Sequence, residues 1–313
     1  MCRKLWDGTQ HMKKAIIYVF SGTGNTKLTA KEIAEELNLL DIDTTIFDVR
    51  NPIHDVPNPN LYDIALFGYP IHAFNTPKFF LDFIKQLPHV NGLPAYIFKT
   101  SGEPFHINSV SSWSLIRKLK RKGFITMMDK HLLMPYNIMF KYQDALAKQM
   151  FNHTLGMAKL IAIKIKNGDK EKQRYYPWYI IAHYIFRIQW IGAKINGPLI
   201  HVKKDICSGC GLCVIQCPTQ NIEIRHGIPH FSHHCTMCMN CSLVCPNDAV
   251  RPGILNLWRV NGKYPFKQLI ENDAIPSMYI NEKTEGYFKL FLSYYDKTYA
   301  EIKEVTGIDY SKV

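Results

Sequence analysis

Short apolar runs alternate with helical patterns from residue 13 to about residue 134. Five runs are apolar and bounded by turn residues, which is typical of buried strands: 15–20, 44–48, 64–69, 95–100 and 124–128. Between them, apolar residues recur at helical spacing in 26–37, 76–87 and 110–122. This alternation predicts a parallel sheet covered by helices on both faces, with ligands bound at the carboxyl ends of its strands.

Three further segments follow this predicted sheet. Residues 143–166 predict a long helix, and 178–195 form a strongly apolar stretch at helical spacing. The apolar stretch contains His183, Arg187, Gln189 and Lys194 and is too interrupted to span a bilayer. We expect a helix buried between two domains, with an amphipathic helix on a membrane surface as the alternative. Residues 253–313 are rich in aromatics and are expected to serve as packing material.

The composition excludes wholesale disorder, because 47% of the 313 residues are apolar. The formal net charge is +12, and residues 113–174 alone hold 14 basic and four acidic side chains. This basic excess could serve nucleic acid or an acidic protein partner. Leu119 lies among these cations at helical spacing, which indicates the solvated face of an ordinary helix. We expect this face to dock an acidic redox partner and do not expect it to bind nucleic acid.

Cysteines are concentrated in one segment, since eight of the nine lie between residues 207 and 245. No secretory signal precedes them, so metal ligation in a reducing cytoplasm is favoured over disulfides. Two runs share the spacing C-x2-C-x2-C-x3-C-P, and their cysteines are Cys207, Cys210, Cys213, Cys217, Cys235, Cys238, Cys241 and Cys245. Zinc is disfavoured because four-cysteine zinc sites normally use two separated C-x2-C pairs.

The cysteine segment, residues 202–252, resembles the two-cluster bacterial ferredoxins. The resemblance implies two [4Fe-4S] clusters, with the fourth cysteine of each run ligating the other cluster. One cluster would then take Cys207, Cys210, Cys213 and Cys245. The second would take Cys217, Cys235, Cys238 and Cys241. Such paired clusters act as a one-electron relay.

A loop rich in small and hydroxyl residues, 21–26, joins the first predicted strand to the first predicted helix. Its hydroxyls, the Asn25 amide and backbone N–H groups converge at a helix N-terminus, where a phosphate is favoured. The loop itself contains no Lys or Arg, so neutral donors would hold the phosphate. Lys27 replaces the third glycine of a dinucleotide fingerprint, and no P-loop motif is present.

This loop resembles the phosphate loop of flavodoxins, and the resemblance covers residues 13–167. It implies FMN, with Ser21, Thr23, Gly24, Asn25 and Thr26 as phosphate ligands. The loops after the third and fourth strands would hold the flavin ring through Tyr69, Pro70, Ile71, His72 and Ala73, and through Thr100, Ser101 and Gly102. Stacking by Tyr69 or Phe74 competes with core packing, and His72 and His106 are more simply loop histidines.

The whole chain is similar to bacterial iron-sulfur flavoproteins. The expected fold is α/β, a flavodoxin-like doubly wound parallel five-stranded sheet, joined to a small α+β two-cluster ferredoxin domain. The expected divisions are a leader or cloning remnant at 1–12, the FMN domain at 13–167, a helical linker at 168–200, the ferredoxin domain at 201–252 and an extension at 253–313. The expected function is cytoplasmic electron transfer between FMN, two [4Fe-4S] clusters and an external redox partner. The alternative is an FMN-dependent reductase acting on a small molecule.

Overall fold

A computed structural model of the chain describes residues 12–51, 53–138, 140–254 and 262–311, so the expected leader lies almost wholly outside the described residues. A five-stranded parallel sheet forms the first domain, in the order β2-β1-β3-β4-β5. Its strands are β1 (Lys13–Val19), β2 (Ile42–Asp48), β3 (Ile64–Pro70), β4 (Pro94–Ser101) and β5 (Ile125–Leu133). The predicted doubly wound sheet and its flavodoxin-like strand order are confirmed.

Helices cover both faces of this sheet. They are α1 (Asn25–Asn38), α2 (Lys78–Gln86), α3 (Trp113–Arg121) and α4 (Asp144–Asn167). Helices α1 and α4 contact each other on one face, and α2 and α3 contact each other on the other face. The central strands are mostly apolar because both faces are covered. Gly68 of β3 leaves room for the Phe98 ring, which an added Cβ would approach to 2.1 Å.

The two-sided sheet divides the basic segment 113–174, which was expected to form one docking edge. Helices α3 and α4 lie on opposite faces, so their cations do not form one patch. Lys148 of α4 is buried and donates to the carbonyl oxygens of Asn272 and Ile275, both at 2.9 Å. The exposed cations of α3, such as Arg117 and Arg121, remain available to a partner on their own face of the sheet.

Two short helices occupy the linker where a single apolar helix was expected. They are α5 (Pro177–Ile185) and α6 (Ile188–Asn196). The chain breaks helical continuity at Phe186 and Arg187. The expectation that this stretch is buried is wrong, because Trp178 is 78% exposed and Ile188 is 70% exposed.

The cysteine segment forms a small α+β unit with its own core. Its elements are β6 (His201–Val202), α7 (Leu212–Ile215), β7 (Ile222–Arg225), β8 (Ile228–Phe231), α8 (Asn240–Leu243) and β9 (Val250–Arg251). Strand β6 pairs with β9, and β7 pairs with β8, both antiparallel. Because so few apolar residues enclose this core, most of the clustered cysteines pack against it themselves.

The C-terminal extension packs on α4, as the packing hypothesis predicts. It contains α9 (Phe266–Glu271), a 3-10 turn (Gly286–Phe291) and α10 (Leu292–Thr306). Gln149, on α4, accepts hydrogen bonds from the backbone N–H groups of Tyr279 and Ile280. Among the described residues, no helix is long and apolar enough to cross a bilayer.

Candidate cofactor sites

The loop between β1 and α1 is shaped by hydrogen bonds from several neighbouring segments. Gly24 adopts a positive φ of 108°, which glycine tolerates, and its N–H donates to the Ser21 hydroxyl at 3.1 Å. Thr26 is buried, and its hydroxyl lies 2.7 Å from that of Thr100 at the end of β4. The loop is therefore anchored to the sheet, with its small residues facing a cavity.

This cavity is lined by three of the predicted loops together. The lining residues from those loops are Ser21, Gly22, Thr23, Asn25, Thr26, Pro70, Ile71, His72, Thr100, Ser101 and Gly102. Burial lowers the pKa of His72 to about 4, so its imidazole is neutral at pH 7. The cavity lies at the carboxyl ends of the strands, where parallel sheets bind their ligands.

Tyr69 and Ala73 of the predicted set lie outside the lining of this cavity. The Tyr69 side chain is fully buried in the core, where its hydroxyl lies 2.8 Å from that of Ser112. Its ring therefore cannot face a flavin in this cavity. Ala73 is exposed and outside the lining. Phe74 packs on the exposed ring of Phe186, between α5 and α6, at 4.8 Å between ring centroids.

The loop after β5 adds residues that the sequence reasoning missed. Asn137 is buried and donates to the carbonyl oxygen of Thr23 and to the Asn25 side chain, at 3.1 and 3.0 Å. Its own side-chain oxygen is buried without a hydrogen-bond partner, so it fits a hydroxyl or N–H of a bound cofactor. Tyr136 also lines the cavity and donates to Glu103. The rule that ligands sit at strand carboxyl ends could have found this loop.

A cation reaches the phosphate loop from the C-terminal extension. A Cβ added at Gly24 would lie 3.7 Å from the Lys263 ammonium nitrogen. Lys263 also lines a cavity of about 760 Å³ with Lys27, Lys31 and Arg50, beside the same loop. The prediction that only neutral donors would face a phosphate therefore needs correction, because a positive charge lies next to the loop.

The eight clustered cysteines are free thiols arranged in two groups. Cys217, Cys235, Cys238 and Cys241, here called the inner set, line one small enclosed cavity. Cys207, Cys210, Cys213 and Cys245 are called the outer set. Burial raises the pKa of Cys213, and the nearby Cys210 and Cys245 thiols add a smaller rise. Each group combines three cysteines of one run with the fourth of the other.

Burial raises the pKa of Cys235, Cys238 and Cys241, for Cys238 to about 12, and the smaller opposing effect of Arg50 on Cys238 does not cancel this rise. Buried neutral thiols suit metal binding, because a bound metal's charge stabilises the thiolate form. Among the described residues, no three His, Cys, Asp or Glu side chains lie close enough for one metal ion. A cubane places each thiolate on a different iron, so the donor set fits a cluster.

The inner set lies directly against the phosphate loop. A Cβ added at Gly22 would lie 2.2 Å from the Cys238 carbonyl oxygen, so the two backbones meet where only glycine fits. Met237 and Cys238 line the same cavity as the three flavin-type loops. The outer set does not contribute to this lining. The fold thus places one of the two thiol groups beside the candidate flavin site.

Comparison with known proteins gives separate similarities for two parts of the chain. Residues 199–253 match the family model for a 4Fe-4S dicluster domain. A flavodoxin of Streptococcus pneumonia TIGR4 is 17% identical, and the alignment covers 49% of this chain and 98% of that protein with a TM-score of 0.37. Flavodoxin 1 of Bacillus cereus is 18% identical over 49% of this chain and 97% of its own, with a TM-score of 0.36. No match was found among curated proteins.

The strand order of the sheet is that of flavodoxin-like folds, and the dicluster match covers the segment that holds both cysteine runs. The chain therefore joins a flavodoxin-like sheet to a segment similar to 4Fe-4S dicluster domains.

Proposed function

We propose that the protein is an electron-transfer iron-sulfur flavoprotein that passes electrons between FMN, two [4Fe-4S] clusters and an external redox partner. The observation that carries this proposal is the backbone contact between Gly22 and Cys238. It brings a cluster ligand to the wall of the flavin cavity. FMN exchanges one or two electrons whereas clusters exchange single electrons, so the pair links the two kinds of redox chemistry.

The chain's own residues would bind and position these groups. Ser21, Thr23, Gly24, Asn25 and Thr26 would hold the phosphate. The backbone and side chains of Pro70, Ile71, His72, Thr100, Ser101 and Gly102 would surround the ring. Asn137 supports the proposal because it ties the phosphate loop to the loop after β5 and keeps one unpaired acceptor in the cavity.

The eight cysteines would hold the clusters in the two groups described above. The proximity of Cys217 to the second run and of Cys245 to the first supports crossed ligation. Arg50, whose charge acts on Cys238, lies between the phosphate loop and the inner set. It would favour electron density on the inner cluster because a nearby cation stabilises added negative charge.

Anaerobic purification with cofactor analysis tests the proposal. We expect FMN and about eight irons per chain, and two interacting [4Fe-4S] signals by EPR after reduction. Reduction of the flavin by light in the presence of oxidised clusters should be followed by reduction of the clusters within the same molecule. A protein that binds iron but no flavin would contradict the proposal, and so would clusters that stay oxidised while the flavin is reduced.

A direct FMN-dependent reductase is the second candidate function. It is favoured by a cavity of about 280 Å³ beside His72, which is also lined by Gln189, Trp190 and Met237. This space could admit a small substrate next to the candidate flavin site. Anaerobic mixing with NADH or NADPH distinguishes the two functions, because rapid flavin bleaching by free nicotinamide would favour the reductase.

We further propose a cytoplasmic setting and an acidic protein as the redox partner. The exposed cations Arg117, Lys120 and Arg121 of α3 support this choice. Replacing all three by Gln should slow reduction by such a partner, and the rate should fall as ionic strength rises. A rate insensitive to both changes would reject α3 as the docking site.

A further inference from the structure

Helices α5 and α6 present an apolar stripe to solvent. Trp178, Ile181 and Ile185 lie at i, i+3 and i+7 of α5, and all three are at least half exposed. Ile188, Ile191 and Ile195 repeat this spacing on α6, again at least half exposed. We call these six residues the α5–α6 face. Amphipathic helices of soluble proteins normally turn such a stripe toward the core.

The orientation of both helices is fixed by polar contacts on their other side. His183 of α5 is buried; its ring lies 2.9 Å from the Ser114 hydroxyl, and its carbonyl oxygen accepts from Asn75 at 3.0 Å. Asn196 at the end of α6 is buried and bonds to Pro252 and Ile254 of the cysteine segment, at 2.9 and 2.8 Å. Turning the stripe inward would break these bonds, so the exposure is built into the fold.

The charge around the face has one sign. Residues 172–204 contain six Lys or Arg and no Asp or Glu. Lys172, Arg174 and Lys194 are exposed at either end of the helix pair. Tyr176, which is 67% exposed, and Trp178 stand at the start of α5. Apolar stripes flanked by cations and by amphipathic aromatics are typical of helices that lie in a lipid–water interface.

We propose that the α5–α6 face binds the surface of an anionic lipid bilayer. A bilayer supplies an apolar layer for the isoleucines and negative headgroups for Lys172, Arg174 and Lys194. A second copy of the chain fits less well, because an isologous contact would bring the same cations against each other. Each helix has nine residues and is too short to span, so both lie along the interface.

Docking through this face would also orient the redox site. Gln189 of α6 donates to the carbonyl oxygen of His72 at 2.6 Å, in the loop that lines the flavin cavity. Trp190 and Lys194 of α6 line the neighbouring cavity of about 280 Å³, which also reaches Cys235. Helix α6, which would lie on lipid, therefore also lines the cavity between the candidate flavin site and the inner thiol set.

Vesicle co-sedimentation of the full-length holoprotein tests the proposal. We expect binding to vesicles containing phosphatidylglycerol and much weaker binding to pure phosphatidylcholine. Ile188→Glu with Ile191→Glu should weaken binding at least about tenfold, because two buried apolar contacts are lost and two charges are added. Leu61→Glu, at a residue 72% exposed elsewhere, is the matched control and should bind like the wild type.

The cations provide an independent arm of the test. Lys172→Gln, Arg174→Gln and Lys194→Gln should each reduce binding to anionic vesicles by roughly fivefold and leave binding to neutral vesicles unchanged. Unchanged iron and flavin content in every variant shows that folding is intact. Equal binding by the Ile188→Glu/Ile191→Glu variant and the wild type would overturn the proposal. A vesicle-independent dimer that this double variant dissociates would also overturn it, by assigning the face to a second copy.

Discussion

The inner and outer thiol sets have the same spacing in sequence but different surroundings in the fold. The inner set borders an enclosed cavity, and Cys238 abuts the phosphate loop. The outer set is uneven, with Cys210 exposed and Cys213 buried. Because burial, hydrogen bonds and local charge set cluster potentials, two identical motifs in one segment are expected to give two different redox centres. The two thiol sets differ because only the inner set lies against the flavodoxin-like domain.

Removing one ligand from each set should separate their roles most strongly. Cys238→Ser should cost about four of the eight irons and abolish electron exchange between the flavin and the remaining cluster. Cys210→Ser should cost a similar amount of iron but leave exchange between the flavin and the inner cluster intact. Iron analysis and EPR after flavin photoreduction measure both effects. Equal loss of exchange in the two variants would remove the functional distinction between the sets.

The next largest effect is expected when the phosphate loop and the cysteine segment are forced apart. Gly22→Ala would place a Cβ 2.2 Å from the Cys238 carbonyl oxygen, so the loop and the cysteine segment must move apart. We expect a stability loss of about 1–3 kcal/mol and slower transfer from flavin to cluster. Gly192→Ala is the matched control, since an added Cβ there meets nothing within 4 Å. Thermal unfolding and transient absorption measure the two effects, and wild-type behaviour of Gly22→Ala would contradict the close contact.

Controlled oxidation should distinguish the sets without mutation. Because Cys210 is exposed, the outer cluster is expected to lose iron first when the reduced protein meets air. Iron release should then occur in two phases, and the EPR signal of the inner cluster should outlast the first phase. A single phase that destroys both signals together would show that the two sets are equally accessible to oxidant.

The smallest effect is expected from substitution of Lys263, which lies beside the phosphate loop and not beside either thiol set. Lys263→Gln should weaken FMN binding about twofold to fivefold, because an exposed cation contributes modestly to holding a phosphate. Lys263→Arg should retain most of the affinity. Riboflavin has no phosphate, so its affinity should not change in either variant. Equal weakening for FMN and riboflavin would place the effect of Lys263 elsewhere.

Sequence patterns predict the sheet well because its strands are short apolar runs between helices of regular period. The Gly-rich loop and the cysteine spacing likewise carry local chemical signatures. The sequence left flavin stacking and core packing open for Tyr69, because strand periodicity alone does not tell which side of a doubly covered sheet faces a ligand. Lys263 and Asn137 could not be assigned from local pattern, since their relation to residues 21–26 arises only from tertiary folding. For residues 178–195 the sequence favoured burial and kept an amphipathic surface helix as the alternative, because exposure depends on the tertiary contacts of His183 and Asn196.

The packing of the C-terminal extension has a consequence for how the chain folds. Glu301 of α10 pairs with Lys130 of β5 and Lys164 of α4, at 2.7 and 2.6 Å. Tyr287 donates to Glu103 in the loop after β4. The last fifty described residues thus complete the first domain, and the cysteine segment is an insertion within it. A fragment ending at residue 167 would expose the apolar and polar surface of α4 that the extension covers. Because the extension follows both cysteine runs in the sequence, α4 gains this cover only after translation has passed them.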